Sequence, residues 1–298
     1  MEFSNPIYPS NFADPFILRS GSDYYAYATN NGQTNLPVLR SDDLVHWTPS
    51  SDAMPRLGEW AVTGATWAPE VMSIGDSYVV YYTARGATEG VQCVGRAMSE
   101  SPTGPFYDDS AHPLLCDTDG GSIDASPFRD ADGTLYLYWK NDGNAVGRDT
   151  FIYGARLSED GLQLVGDAVP LFRQDAAWEG HVVEGPVMWR HDGRYYLFYS
   201  GNAFDRADYA VGYAVCDGPL GPCVKAAENP ILASAGRAAG PGHCNLIEVD
   251  GVTWMVYHAW NAGAVGKPPG RTMWLDRVDW AAGKPVLRGP ISGSQPAP

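Results

Sequence analysis

Short apolar, aromatic-rich runs alternate with Gly- and Asp-containing turns along this chain, and one such pairing recurs five times. Gly21-Ser22-Asp23 leads into Tyr24-Tyr25-Ala26-Tyr27, and Gly75-Asp76-Ser77 into Tyr78-Val79-Val80-Tyr81-Tyr82. Asp132-Gly133-Thr134 leads into Leu135-Tyr136-Leu137-Tyr138-Trp139, Asp192-Gly193-Arg194 into Tyr195-Tyr196-Leu197-Phe198-Tyr199, and Asp250-Gly251-Val252-Thr253 into Trp254-Met255-Val256-Tyr257. The marker glycines fall 54, 58, 60 and 58 residues apart. Tyr, Val, Leu and Trp fit a pleated, half-buried surface, and Gly or Asp-Gly fits a tight turn, so each unit predicts a β-hairpin. An apolar strand precedes every marker (Phe16-Ile17-Leu18, Val71-Met72, Pro127-Phe128, Val187-Met188-Trp189, Leu246-Ile247), and a third strand follows it. A short Pro-led element then recurs at 113–115, 170–172, 230–232 and 285–287.

Four antiparallel strands repeated five times predict an all-β chain folded as a five-bladed β-propeller. A lone four-stranded sheet leaves its faces and edges unprotected, whereas ring closure buries blade against blade. The reading is one catalytic domain over residues 1–298, with blades at roughly 10–57, 66–116, 123–173, 183–233 and 242–290. A β-sandwich with fortuitous spacing is the alternative. Gly 34 and Pro 23, roughly a fifth of the 298 residues, favour short strands and turns over long helices.

Charge narrows the partners. Lys plus Arg is 20 against 35 Asp plus Glu, a formal net charge of −15. Such a surface repels phosphate backbones and anionic lipid, so neither nucleic acid nor membrane is expected as a partner, while a neutral sugar is not penalised. There is no apolar run long enough to span a bilayer. The start, Met1-Glu2-Phe3-Ser4-Asn5, has no basic or apolar leader. The expectation is a cytoplasmic protein, or a secreted or periplasmic one whose leader was removed, with the first three residues a cloning scar. Of five cysteines, Cys216 and Cys223 flank a turn-rich segment that sets two strands side by side, and Cys93 and Cys116 form a second candidate pair, leaving Cys244 unpaired. Two bridges would imply an oxidising compartment; buried free thiols are the alternative.

In a propeller the first strand of every blade lines the central channel, so the polar residues at their entries converge. Those entries read Asp14-Pro15, Trp67-Ala68-Pro69-Glu70, Ile123-Asp124-Ala125-Ser126-Pro127, Glu184-Gly185-Pro186 and Gly242-His243-Cys244-Asn245. Asp14, Asp124 and Glu184 stand 7, 9 and 9 residues before their marker glycines, and His243 stands 8 before its own. Three carboxylates facing one cavity repel one another, and burial adds to the cost of ionising them all. Their pKa values are therefore pushed apart, which produces one acid and one base. The plainer readings are a turn cap for Asp14, a structural acceptor for Asp124 and a surface acid for Glu184. Glu70, after Pro69, is expected to be structural.

The pattern resembles glycoside hydrolase family 43, a family of five-bladed propeller arabinofuranosidases, xylosidases and arabinanases. The residues that carry the resemblance are Ala13-Asp14-Pro15-Phe16, Thr66-Trp67-Ala68-Pro69-Glu70, Ser122-Ile123-Asp124-Ala125-Ser126-Pro127-Phe128, Val183-Glu184-Gly185-Pro186, Gly242-His243 and Gly270-Arg271, in that order. The resemblance implies an inverting hydrolase with Asp14 as general base, Glu184 as general acid and Asp124 raising and orienting the acid. An inverting pair needs carboxyl groups ~6.5–9.5 Å apart to admit a water. It also implies that Trp67 stacks on the sugar, that Arg271 reaches a sugar hydroxyl and holds the acid, and that Ile123 lines the substrate site. A core Trp and an edge Arg are the plainer readings.

No cofactor is required. The resemblance puts a structural Ca2+ and its waters near the propeller axis beside His243. A neutral imidazole is a poor ligand for a hard cation, so calcium held through water and a satisfied core histidine both stay open.

The expected substrate is a neutral oligosaccharide or polysaccharide containing arabinose. Many β-xylosidases of the family carry an additional C-terminal β-sandwich. With a Gly/Ser/Pro tail at 289–298 instead, the reading favours an exo-acting α-L-arabinofuranosidase. A β-xylosidase or an endo-1,5-α-L-arabinanase is the alternative within the family, and a non-catalytic sugar-binding propeller the alternative outside it. Fructan-type motifs are absent, and four lysines make a poor phosphate site for a phosphorolytic relative.

Overall fold

The computed structural model describes residues 2–298. Five antiparallel sheets, each running in chain order from the channel outward, form a five-bladed propeller, and the only helical segments among the described residues are the 3-10 turns Gly143–Val146 and Ala177–Glu179. Blade one comprises Phe16–Ser20, Asp23–Tyr27, Val38–Ser41 and Thr48–Pro49. Blade two comprises Ala61–Ile74, Ser77–Gly86 and Gln92–Ser99. Blade three is Ser122–Arg129, Leu135–Asn141, Phe151–Leu157 and Leu164–Arg173. Blade four is Val183–His191, Arg194–Gly201, Ala210–Cys216 and Cys223–Lys225. Blade five is Ala238–Val249, Val252–Asn261, Thr272–Ala281 and Lys284–Leu287.

The core explains the ring. Its five apolar clusters lie between blades, not within them. One joins Val38, Tyr82 and Phe106 of blades one and two, and another Val79, Leu137 and Trp139 of blades two and three. Tyr138 and Leu197 meet between blades three and four, Phe198 and Trp274 between four and five, and Ile17 and Val256 between five and one. Each marker hairpin therefore covers a neighbour's face, and no blade has a dry interior alone.

The outer edges are less regular than the repeat predicts. In blade two the fourth position is held by two isolated bridges, Met98 to Tyr107 and Val94 to Leu115. In blade four the outer strand is Cys223–Lys225, not 230–232, of which only Leu232 bridges back to Val211. The inner strands of blades two and five begin at Ala61 and Ala238, ahead of residues 66 and 242, because the pairing resumes beyond a bulge.

The two ends of the chain meet. Glu2–Ser4 pairs with Ser294–Pro296, Tyr8 bridges to Met273, and Phe3 is buried against Trp254. The Gln295 side chain donates to Leu275 O at 3.1 Å and to Asp276 Oδ1 at 3.0 Å. The first residues and the Gly/Ser/Pro tail thus form a two-stranded clasp against blade five. Disulfides join Cys93 to Cys116 and Cys216 to Cys223, and Cys244 is free and buried. No helix among the described residues is long and apolar enough to cross a membrane.

Candidate active site

The site is built on a backbone irregularity repeated five times. At the entry of the five inner strands, Asp14, Ala68, Asp124, Gly185 and His243 have φ of 56°, 40°, 60°, 56° and 49°. Asp and His tolerate this left-handed region better than most residues, and Gly185 adopts it freely. The ladder slips at the same places, between Trp67 and Glu70, Glu184 and Val187, and Gly242 and Asn245. A bulge breaks the strict alternation of a strand, so two consecutive residues can address one cavity. The residue before each left-handed position is Ala13, Trp67, Ile123, Glu184 or Gly242. Glu184 is therefore offset by one from Asp14 and Asp124, and its structural counterparts are Trp67 and Ile123.

All seven residues singled out from the sequence, Asp14, Trp67, Ile123, Asp124, Glu184, His243 and Arg271, line one cavity of about 310 Å3 at the channel mouth. That volume lies at the lower end of the ~300–1,000 Å3 typical of small-molecule sites. The three carboxylates arrive from blades one, three and four, and all are buried.

Their environments differ. Arg271 Nη1 donates to Asp14 Oδ1 at 2.7 Å, Thr29 Oγ1 donates to Asp14 Oδ2 at 2.5 Å, and His243 Nδ1 lies 3.6 Å from Oδ1. Burial by itself would raise the Asp14 pKa, but the Arg271 guanidinium first, with His243 behind it, outweighs burial and holds the carboxyl well below its ordinary value. Asp124 accepts the Gly185 N–H on Oδ2 at 2.9 Å. Burial first, with the charges of Glu184 and Asp14 behind it, pushes Asp124 up to about 6 against the opposing pull of His243 and Lys140. Glu184 is clamped from two sides: Tyr209 O–H donates to Oε1 at 2.8 Å and Lys140 Nζ to Oε2 at 3.1 Å.

Two glycines make this packing feasible. A Cβ on Gly242 would lie 2.0 Å from the Tyr209 ring, and one on Gly185 would lie 3.1 Å from His243 Nδ1. Arg271 is held in turn by Phe204, whose ring centre lies 4.6 Å from the guanidinium carbon. Trp260 Nε1–H donates to Phe204 O at 2.8 Å and fixes that loop.

Several of these residues escaped the sequence reading. Lys140 ends an apolar run in a chain of four lysines, which was a usable signal. Burial would push its ammonium pKa down, but Glu184, Asp142 and Asp124 outweigh that and hold it above the ordinary lysine value. His258 lies behind Asp14, whose N–H donates to His258 Nδ1 at 3.1 Å; burial lowers the imidazole to about 4, so it is neutral at pH 7. Thr29, Asp142, Asn144, Phe204 and Tyr209 carried no motif.

Glu70 lies away from the mouth, beside a second cavity of about 410 Å3 further along the channel. It accepts the Ser126 O–H at 2.8 Å, and burial pushes its carboxyl well above the ordinary range. Among the described residues, no three His, Cys, Asp or Glu side chains are grouped to hold a metal. The donor set around His243, an imidazole facing an arginine-paired carboxylate, does not fit a directly chelated calcium.

The sequence profile of glycosyl hydrolases family 43 matches residues 3–285. A β-D-galactofuranosidase of Aspergillus niger is 29% identical over 271 residues, which cover 85% of this chain and 75% of that protein. An extracellular exo-α-(1→5)-L-arabinofuranosidase of Streptomyces avermitilis is 26% identical, with 97% of this chain and 64% of that protein covered. The chain spans about half the length of several other curated relatives that it matches. Among solved structures, a thermostable family-43 glycoside hydrolase superposes with a TM-score of 0.90 at 34% identity, covering 99% of both chains. With a profile matched from the first clasp strand into the last blade, this chain belongs to glycosyl hydrolase family 43.

Proposed function

We propose that the protein is an inverting glycoside hydrolase that releases arabinofuranosyl units from the ends of plant-type oligosaccharides or polysaccharides. The observation that carries this reading is the meeting of Asp14, Asp124 and Glu184 in one buried cavity with opposed electrostatic surroundings. Asp14, kept ionised by Arg271, takes a proton from a water as that water attacks the anomeric carbon. Glu184 gives its proton to the glycosidic oxygen as the old C–O bond breaks, so the sugar leaves with inverted configuration and the departing chain as a neutral alcohol. Asp124 fixes the peptide after Glu184 and, once ionised, its negative charge favours the protonated acid. A cavity with net negative charge also favours the positive, oxocarbenium-like transition state. No step requires a metal; a calcium held through waters beside His243 would be structural.

Trp67 and Phe204 supply aromatic surface for the apolar face of a sugar ring, and Arg271 a donor for its hydroxyls. The furanoside reading draws on both the arabinofuranosidase and galactofuranosidase relatives, since a β-D-galactofuranosyl ring is an α-L-arabinofuranosyl ring with a longer exocyclic arm. Galactofuranosides are therefore the second substrate class. The test is a panel of aryl α-L-arabinofuranoside, aryl β-D-galactofuranoside, aryl β-D-xyloside and linear arabinan. The highest kcat/KM is expected on the arabinofuranoside. A preference for xyloside or for internal cleavage of arabinan replaces the reading with one of its family alternatives, and inertness on all four favours a binding propeller.

A further inference from the structure

Blade three breaks a polar contact that the other blades repeat. Opposite the bulge stand Thr29, just past the second strand of blade one, and Thr83, Lys140, Ser200 and His258 on the second strands of the other four. Thr83 pairs with Trp67, Lys140 with Ile123, Ser200 with Glu184 and His258 with Gly242, and the Thr29 N–H donates to Ala13 O at 3.0 Å. Four of these side chains accept the N–H of the left-handed residue in the next blade. Ala68 donates to Thr29 Oγ1 at 2.9 Å, Asp124 to Thr83 Oγ1 at 3.3 Å, His243 to Ser200 Oγ at 2.8 Å and Asp14 to His258 Nδ1 at 3.1 Å. Lys140 occupies the fifth place, and an ammonium has no lone pair to offer. The corresponding N–H, that of Gly185, donates to Asp124 Oδ2 instead.

We propose that Lys140 is a positioning residue for the acid machinery: by departing from the propeller's own repeat it commits Asp124 to the Gly185 backbone, clamps Glu184, and sets the alkaline limit of hydrolysis. The inference rests on the assignment of Glu184 as the acid.

Lys140 is fully buried, and its Nζ reaches Asn144 Oδ1 at 2.7 Å, Glu184 Oε2 at 3.1 Å and Asp142 Oδ1 at 3.5 Å. The line from Nζ to Oε2 always carries the lysine's hydrogen, so the transferable proton sits on another lone pair of Glu184, away from Lys140. The remaining groups around Glu184 are Asp124 on the inner strand of blade three, Asp142 beyond Lys140, Tyr209 of blade four, and Asp14, Arg271 and His243 across the cavity. The aspartates favour a protonated Glu184, and the nearest cation, Lys140, opposes them. Lys140 therefore acts on Glu184 in the direction opposite to the aspartates, from 3.1 Å.

The experiment is the pH dependence of kcat/KM on an arabino-oligosaccharide, whose leaving alcohol needs the proton. Lys140→Thr restores the acceptor that the other blades use and removes the charge. Its alkaline limb is expected to move up by about one pH unit. Lys140→Arg keeps the charge and should keep the limb. Asp142→Asn removes an opposing negative charge and should move the limb down. A wild-type limb in both K140T and D142N overturns the proposal, and if K140T is too slow to profile, D142N decides. Glu184→Ala separates the two levels. If it retains turnover and limb on the oligosaccharide, the acid assignment fails; if it loses them while K140T behaves as wild type, only the role of Lys140 fails.

Discussion

Asp124 Oδ2 lies 2.9 Å from the Gly185 nitrogen, so a carboxylate on blade three holds the peptide that follows Glu184 on blade four. The same carboxyl is raised to about 6, chiefly by burial. Its folded pKa exceeds its unfolded value, so the native state holds a proton that the unfolded chain has released. Ionising Asp124 therefore costs stability as pH climbs from about 4 to beyond 6, by up to about 3 kcal/mol. Asp124→Asn keeps an acceptor oxygen and removes the charge. It should melt above the wild type at pH 7.5 and lose that advantage by pH 4, while its activity falls. Thermal unfolding at the two pH values checks this; an equal difference at both would remove the buried charge as its cause.

Glu184→Ala should reduce kcat/KM on arabino-oligosaccharide by roughly 10²–10⁴, the usual worth of a general acid. The loss should be small on an aryl glycoside whose phenolate leaves without help. Comparable losses on both substrates would speak against proton donation by Glu184.

Asp14→Ala should abolish turnover on both substrates, because the attacking water must be deprotonated whichever group leaves. For the wild type, NMR of the first-formed sugar should show the inverted anomer. A retained anomer would exclude Asp14 as a base acting on water.

Glu70 supplies a control, since it lies away from the mouth, burial pushes its carboxyl well above the ordinary range and Ser126 already occupies Oε2. Glu70→Gln keeps the shape and an acceptor oxygen for Ser126, so kcat/KM should stay within about threefold of the wild type. A hundredfold loss would bring Glu70 into the mechanism.

Phe204 is 45% exposed, yet its ring backs the Arg271 guanidinium. Phe204→Ala removes a cation–π contact of about 0.5–2 kcal/mol, so KM should rise roughly 2–30-fold with a smaller change in kcat. Steady-state kinetics on the aryl arabinofuranoside separates the two constants.

The marker hairpins were legible because strand alternation and Gly turns are local properties, and their spacing repeats. Asp14, Asp124 and His243 were legible because they occupy one position in that repeat, and a repeated position in a ring is a shared place in space. Other features were not local. The clasp of Glu2–Ser4 on Ser294–Pro296 joins the two ends of the chain, and nothing in either segment names its partner. Phe204 and Tyr209 come from an irregular stretch of blade four, and their role depends on the space left by Gly242 and on where Arg271 arrives.

By itself the chain's periodicity determined the number of blades, the order of strands and the three carboxylates at the channel mouth. The tertiary structure alone decided which of those carboxylates meets a cation, and where. Asp14 lies beside Arg271, 257 residues away, and Glu184 beside Lys140, 44 residues away. An acid's proton affinity is set by charges and burial within a few ångströms, and those distances exist only once the blades have closed into a ring.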